Sequence, residues 1–237
     1  MGKKIVIATK KAAAHLLLES GKVTHVYGPP KIGKSTLSAT IALELAKIGA
    51  HSAILSTERP IELRMDSMIE AHPSYSQELF KKISIANVFT MEHLMKIIRE
   101  KLLTQLKDVD LLIIDSLTAP YRSVSDPRTF SLLQQVLAHL QSLVIYGKIA
   151  VLFTNQIASK MKEPNDYRPV ASLATRSYSD ITVRLARKDT EQREIVFENL
   201  VGEEQAVVGP FWIGAVGIEP FHELFEIQIP SKIPVPF

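Results

Sequence analysis

Residues 28–35 read GPPKIGKS and constrain the fold of this chain more than any other stretch. They match the pattern G-x-x-x-x-G-K-[ST], follow the apolar run from Val23 to Tyr27 and open a helical pattern. In that setting, backbone N–H groups converge on phosphate at a helix N-terminus, which predicts a nucleotide site. Its expected residues are Gly28, Pro29, Pro30, Lys31, Ile32, Gly33, Lys34, Ser35 and Thr36.

Within this loop, Lys34 is expected to reach the β- and γ-phosphates, and the Ser35 hydroxyl is expected to bind Mg²⁺. Pro29 and Pro30 lack N–H donors, but they occupy early positions of the loop and are expected to stiffen it. The alternative interpretation is a glycine-rich turn into an ordinary helix.

Short apolar runs alternate with longer helical patterns, which predicts an α/β fold with a doubly wound, mainly parallel sheet. The expected strands are residues 22–27, 51–56, 83–88, 110–115 and 149–154, and the expected helices are residues 34–48, 60–72, 91–107 and 127–147. After residue 176 the pattern changes to short alternating segments at 178–187, 193–199 and 205–213. They predict a C-terminal antiparallel β extension that needs no helix.

The length of 237 residues predicts one domain over residues 1–237, with a lead-in at 1–20. Residues 228–237 contain three prolines and are expected to form an edge strand, an extended arm or a frayed tail. The absence of cysteine excludes disulfides and thiolate chemistry and fits a reducing compartment. No apolar run is long enough to span a bilayer, so we expect a cytoplasmic protein without membrane contact.

Charge is unevenly distributed along the chain, although 28 Lys and Arg against 25 Asp and Glu leave a net charge of only +3. Residues 1–34 contain seven lysines and one glutamate, whereas residues 194–237 contain seven glutamates and one lysine. This asymmetry could steer an anionic partner to one face or favour head-to-tail self-association. Separate solvated patches are an equally good interpretation.

Two carboxylates follow expected strands, and the carboxyl ends of parallel strands meet at one edge of a sheet. Asp115 ends the run 111–115 and is the natural second partner of Mg²⁺, unless it only caps the next element. Glu58 follows strand 51–56 and is the best candidate for a general base that orients water. Its alternative role is a first-turn glutamate favoured by a helix dipole.

A third polar segment, Thr154-Asn155-Gln156, ends the strand at 149–154. A neutral amide at this edge could sense the γ-phosphate and move the loop that follows. The alternative is an ordinary hydrogen-bonded strand end.

These segments together resemble the RecA/RadA recombinase superfamily, most closely the short archaeal RadA paralogues that lack the N-terminal DNA-binding domain. The resemblance covers residues 20 to 200 and is carried by residues 28–35, 56–58, 113–119, 121–122 and 154–156. It implies a RecA-like P-loop NTPase core that uses ATP and Mg²⁺. It also implies that Glu58 activates water and that Gln156 links the γ-phosphate to DNA.

The same resemblance implies two DNA-binding loops, at about 121–131 and about 157–176. Lys and Arg side chains would contact the phosphate backbone, and Tyr167 would stack on an unpaired base. The candidate residues are Arg122, Arg128, Lys160, Lys162, Tyr167, Arg168 and Arg176. From composition alone, solvated mobile loops are the alternative.

The sequence departs from the family pattern at three places. Residues 171–173 read Ala-Ser-Leu where the family has a glycine pair, Arg59-Pro60 follows Glu58 directly, and no Phe is followed three residues later by Ala. Adenine could stack on either Arg59 or Arg64, and the sequence does not choose between them.

The resemblance implies an ATP-dependent accessory of homologous recombination and DNA repair, with slow, DNA-linked ATP hydrolysis. Its implied partners are single-stranded DNA and the main RadA recombinase, together with possible self-association. One alternative is a KaiC-like signalling ATPase, although that group usually carries paired glutamates where this chain has Thr57-Glu58-Arg59. The other is a nucleotide-gated protein-interaction module.

Overall fold

A computed structural model describes residues 3–10, 15–102, 108–158 and 167–229. The strands in these ranges are β1 (Val6–Thr9), β2 (Leu16–Glu19), β3 (Val23–Gly28), β4 (Ser52–Ser56), β5 (Ile83–Asn87), β6 (Leu111–Asp115), β7 (Ala150–Gln156), β8 (Ile181–Arg187), β9 (Arg193–Glu198), β10 (Glu204–Gly214), β11 (Gly217–Glu219) and β12 (Phe225–Gln228). Nine of them form one sheet in the order β11-β10-β9-β8-β3-β7-β6-β4-β5.

The centre of this sheet is parallel, and its C-terminal side is antiparallel. Strands β8, β3, β7, β6, β4 and β5 pair in parallel, and β9, β10 and β11 add antiparallel pairs beyond β8. The expected doubly wound α/β fold with an antiparallel extension is therefore confirmed.

The parallel register brings distant parts of the chain together at the carboxyl edge. Gly28 pairs with Gln156 across β3 and β7, and Ser56 pairs with Asp115 across β4 and β6. The segments that follow these strands therefore start side by side.

Helices cover both faces of the sheet. They are α1 (Lys34–Lys47), α2 (Glu62–Ala71), α3 (Met91–Lys96), α4 (Ala119–Val124), α5 (Pro127–Gly147), α6 (Ser172–Ser177) and α7 (Phe221–Leu224). Alternate residues of β6 point to opposite faces, so Ile113 joins a core under α1 and α2, whereas Ile114 joins a core under α3 and α5. Among the described residues, no helix has the length and apolarity needed to cross a membrane.

Helix α5 shows why these segments are helical. Asp126 precedes it and accepts the N–H of Thr129 at 2.6 Å through its side chain, and Pro127 occupies the first turn. Leu133, Val136, Leu137, Leu140 and Val144 then recur at helical spacing and are buried. Full burial of each such side chain contributes about 2 kcal/mol.

Several elements differ from the sequence-based expectations. The lead-in forms β1 and β2, and β1 also pairs with β12, which gives a three-stranded sheet in the order β12-β1-β2. These strands are four residues each, too short for a clear periodicity. The extension at 178–213 contains strands and no helix, as expected, and the short helix at Phe221–Leu224 follows it.

Two further expectations are changed or only partly described. The expected helix at 91–107 is α3 followed by a π-helical turn at Ile97–Leu102, and residues 103–107 lie outside the described part of the chain. Of the expected tail at 228–237, Gln228 ends β12 and residues 230–237 lie outside the described part. The single-domain organisation stays a prediction.

The antiparallel extension is joined to the parallel sheet by a buried ionic cluster around Glu198. Its carboxylate side chain is only 2% exposed, and it pairs with Arg176 at 2.7 Å and with Arg184 at 2.8 Å. The Tyr27 hydroxyl donates to the same carboxylate at 2.8 Å. Burial and the neighbouring Glu198 raise the pKa of Tyr27, so this hydroxyl remains a donor.

We expect Glu198→Gln to lower the free energy of unfolding by about 3 kcal/mol, because it leaves the largely buried guanidinium of Arg176 without its anion and that of Arg184 with only the exposed Glu204. The matched control is Glu204→Gln, which also removes a partner of Arg184 but whose side chain is 56% exposed. That change should cost less than about 1 kcal/mol. Equal losses in chemical denaturation would contradict this role for Glu198.

Candidate nucleotide-binding site

The GPPKIGKS loop leaves the end of β3 and enters α1, as the sequence predicts. Gly33 has a φ of +112°, and a Cβ atom at this position would lie 2.7 Å from Cδ1 of Ile213 on β10. The backbone conformation favours glycine, because side chains rarely adopt this φ, and a Cβ atom here would also require the Ile213 side chain to shift. The extension therefore packs directly against the phosphate loop.

Lys34 lies inside the loop, with 8% of the residue exposed. Its Nζ donates to the carbonyl oxygens of Gly28 and Pro29, each at 2.9 Å. Burial lowers the pKa of Lys34 to about 8, and the charges of Asp115 and Glu58 act in the opposite direction. The ammonium group is thus held among loop carbonyls, within the electrostatic reach of both candidate carboxylates.

Ser35 and Asp115 have the donor chemistry that Mg²⁺ prefers. Ser35 is exposed in the first turn of α1, and Asp115 is buried at the end of β6. The Thr154 hydroxyl donates to Oδ1 of Asp115 at 2.5 Å and fixes the carboxylate. Mg²⁺ usually takes one or two protein oxygens together with water and substrate phosphates, so these residues fit the ion.

Glu58 follows β4 at the same edge, and hydrogen bonds of the preceding residue, Thr57, fix the position of the backbone there. The Thr57 hydroxyl donates to the carbonyl of Ser116 at 2.6 Å and accepts the Ser116 N–H at 2.8 Å. The Glu58 side chain is exposed, and its Oε1 accepts the Gln156 amide at 2.6 Å. The structure therefore brings these two sequence-derived candidates into direct contact.

Arg122 belongs to the same cluster, although the sequence analysis assigned it to a DNA-binding loop. Its guanidinium donates to Oε1 of Gln156, and its charge acts on Lys34. Arg122 lies on α4, because most of the expected first loop is helical and only Ser125 and Asp126 separate α4 from α5.

The buried side chain of Asn155 forms hydrogen bonds beside the first and within the second of the two segments in which DNA-binding loops are expected. Its Oδ1 accepts the hydroxyl of Thr118 just before α4, at 2.5 Å, and its Nδ2 donates to the carbonyl of Val170 at 2.9 Å. The same Nδ2 lies 3.3 Å from Nε2 of His25. His25 is fully buried and stacks on Phe153, and burial lowers its pKa to about 3.

The other expected DNA-binding residues lie in different settings. Arg128 is exposed near the start of α5, and Arg168 is exposed where the second loop returns. The Tyr167 ring stacks under the guanidinium of Arg184, 5.6 Å away. Arg176 lies near Tyr167, because both contact the Tyr27 hydroxyl, but it is engaged in the Glu198 cluster with 11% of its side chain exposed. Lys160 and Lys162 lie outside the described residues.

The two candidates for adenine stacking also differ in setting. Arg59 is exposed directly after Glu58. Arg64 donates to the carbonyl of Gly214 at 2.7 Å, and so ties α2 to the end of β10. Which of them stacks on adenine stays a prediction.

Sequence reasoning missed the contact of Thr154 with Asp115 and the contributions of His25 and Ile213 to this site. Thr154 had a visible signal, because it belongs to the polar segment that ends β7. His25 and Ile213 sit in apolar stretches, and nothing local marks them as neighbours of the site.

The sheet order, the phosphate loop and the cluster of candidate residues at the carboxyl edge of the sheet define a RecA-like P-loop domain. The sequence model of the Rad51 family matches residues 5–209, so the chain belongs to that family. Rad51 and RecA proteins are ATPases as a family and use ATP with Mg²⁺.

Individual relatives agree with this assignment. The chain is 27% identical to the DNA repair and recombination protein RadB of Halobacterium salinarum over 177 residues, which are 72% of this chain and 74% of the relative. It is 25% identical over 205 residues to RadB of Methanococcoides burtonii, covering 84% of this chain and 89% of the relative. Protein RecA of Legionella pneumophila is 28% identical over 156 residues, 61% of this chain and 41% of RecA.

The burial of His25 predicts a specific acid sensitivity. Between pH 7 and pH 5 the unfolded chain protonates this imidazole, whose ordinary pKa is 6.5, whereas the folded protein with a pKa of about 3 does not. Acid therefore favours unfolding, and this group alone should remove about 2 kcal/mol over that interval.

His25→Phe keeps an aromatic ring but has no proton to bind, so its free energy of unfolding should fall by about 2 kcal/mol less between pH 7 and pH 5. Urea denaturation at both pH values measures the difference. His93→Phe, at an exposed position, controls for the loss of an imidazole. Identical pH dependence in wild type and His25→Phe would contradict the buried neutral state.

Proposed function

We propose that this protein is an ATP-dependent, DNA-binding accessory of homologous recombination and DNA repair, with slow hydrolysis linked to DNA. The observation that carries the proposal is the contact of Gln156 with Glu58 at the edge where Lys34 and Asp115 also lie. That contact joins the candidate general base to the segment from which the second expected DNA loop begins.

In the proposed reaction, water attacks the γ-phosphorus and the bond to the leaving ADP oxygen breaks. The Lys34 ammonium balances negative charge on the phosphates, and the Glu58 carboxylate orients the water and accepts its proton. Mg²⁺ held near Ser35 and Asp115 would supply further charge neutralisation when bound. Gln156 would connect the state of this site to DNA.

Single-stranded DNA is the proposed nucleic-acid partner. The two segments that flank the site carry exposed Arg122, Arg128 and Arg168, and Lys160 and Lys162 fall within the second segment. Such side chains supply non-specific affinity through phosphate contacts. Tyr167 could stack on a base, although its ring would have to leave Arg184. Arg176 is the weakest candidate, because Glu198 already engages it.

The protein partners are proposed from the relatives. The RadB proteins carry names of DNA repair and recombination, and they match most of the length of this chain. We therefore propose that the main RadA recombinase is the partner whose activity this protein modulates, with self-association as a further property. A cytoplasmic location follows from this role.

The role of Glu58 is tested by Glu58→Gln, which keeps the shape of the side chain and removes the negative charge. We expect ATP binding within about threefold of wild type and a loss of hydrolysis of about 100-fold or more, because general-base catalysis contributes roughly that amount. Fluorescent-nucleotide titration and single-turnover hydrolysis measure the two quantities. Lys34→Ala, which should lose binding itself, is the reference for a failed site.

The DNA role is tested by the triple variant Lys160→Ala, Lys162→Ala and Arg168→Ala. We expect weaker binding of an oligothymidylate. The slope of the logarithm of the binding constant against the logarithm of the salt concentration should also be smaller in magnitude by about 2, because three phosphate contacts are removed. The control removes three lysines elsewhere, Lys4, Lys81 and Lys96, all of them exposed. If both triple variants bind alike, the second loop does not contact DNA.

A further inference from the structure

Three side chains form a continuous chain across the carboxyl edge of the sheet. The Arg122 guanidinium donates to Oε1 of Gln156, and Nε2 of Gln156 donates to Oε1 of Glu58 at 2.6 Å. The three residues come from α4, from β7 and from the segment after β4, so the chain links separate elements.

The chemistry of the end groups fixes the orientation of the amide between them. An arginine has only donors and an ionised glutamate only acceptors, so Gln156 must turn its oxygen to Arg122 and its NH₂ group to Glu58. Both bonds include a charged partner and are therefore stronger than bonds between neutral groups. The amide thus connects a cation to an anion and holds both in place.

The hydrogen bond from Gln156 restrains the carboxylate of Glu58. While its Oε1 accepts the Gln156 amide, the carboxylate is held in one orientation and one of its acceptor sites is occupied, so it is less free to orient a water molecule. We propose that Arg122 is a positioning residue that, through Gln156, restrains Glu58, and that a DNA phosphate releases this restraint by drawing Arg122 away. This inference rests on the proposed function and adds the route by which DNA would control hydrolysis.

The surroundings of Arg122 allow such a movement. Its side chain is exposed, so a phosphate can reach the guanidinium, which binds phosphate oxygens in a bidentate manner. The backbone of α4 is anchored at its start, because Thr118 is bonded to Asn155. Rotation of one side chain, with no rearrangement of the sheet, is then enough to free the oxygen of Gln156.

The test is ATP hydrolysis by Arg122→Ala in the absence of DNA. Removing the guanidinium should raise this rate by about tenfold or more over wild type, and oligothymidylate should add little further. A gain of rate separates the proposed role from a structural one, because damage to the fold would lower it. The control is Arg187→Ala, which removes an exposed arginine at the end of β8 and should leave the rate unchanged.

A second readout does not depend on activity. The side-chain NH₂ signals of Gln156 in the full-length protein should exchange with solvent faster in Arg122→Ala, and faster in wild type once oligothymidylate is added. A DNA-free rate at or below wild type in Arg122→Ala, with wild type still stimulated by DNA, overturns the restraint and leaves the proposed function intact.

If wild type hydrolyses no ATP with or without DNA, the proposed function fails and the amide exchange alone decides the restraint. Exchange unchanged by Arg122→Ala then overturns it, and faster exchange supports it.

Discussion

The parallel register of the central sheet is the constraint on which the site depends. Gly28 lies beside Gln156 and Ser56 lies beside Asp115 because β3, β7, β6 and β4 run in one direction. Every chain segment that leaves these strands must therefore start at the same edge. A slip of one residue in any pair would turn each side chain to the other face and separate the carboxylates from the phosphate loop.

Buried polar contacts then make this edge specific. Thr154 fixes Asp115, Thr57 fixes the backbone of Ser116, and Asn155 holds Thr118 and Val170 in one network. Buried polar groups are costly when they are unpaired, so few other arrangements of these segments are stable. Because this buried network is rigid, the parts of the site that can move are the exposed side chains above it, which include Glu58 and Arg122.

The sequence was sufficient to place the parallel strands, the phosphate loop and Glu58. Hydrophobic periodicity is a local signal that identifies the strands, and the segments that follow parallel strands must start at the same edge of the sheet. It was insufficient where a contact joins distant residues. Nothing near Val6 indicates that its strand pairs with Gln228, and nothing near Arg176 indicates that Glu198 engages it. Arg122 was correctly placed after β6, but its contact with Gln156 depends on the helical path of α4.

The most direct test of the account is the steady-state rate of ATP hydrolysis with and without single-stranded DNA, with Lys34→Ala as the blank. The shared edge of the sheet predicts a measurable rate that DNA increases, because the phosphate loop and the segment after β7 are joined through Glu58 and Gln156. A measurable rate that DNA leaves unchanged would contradict the account, since it would separate the nucleotide site from DNA.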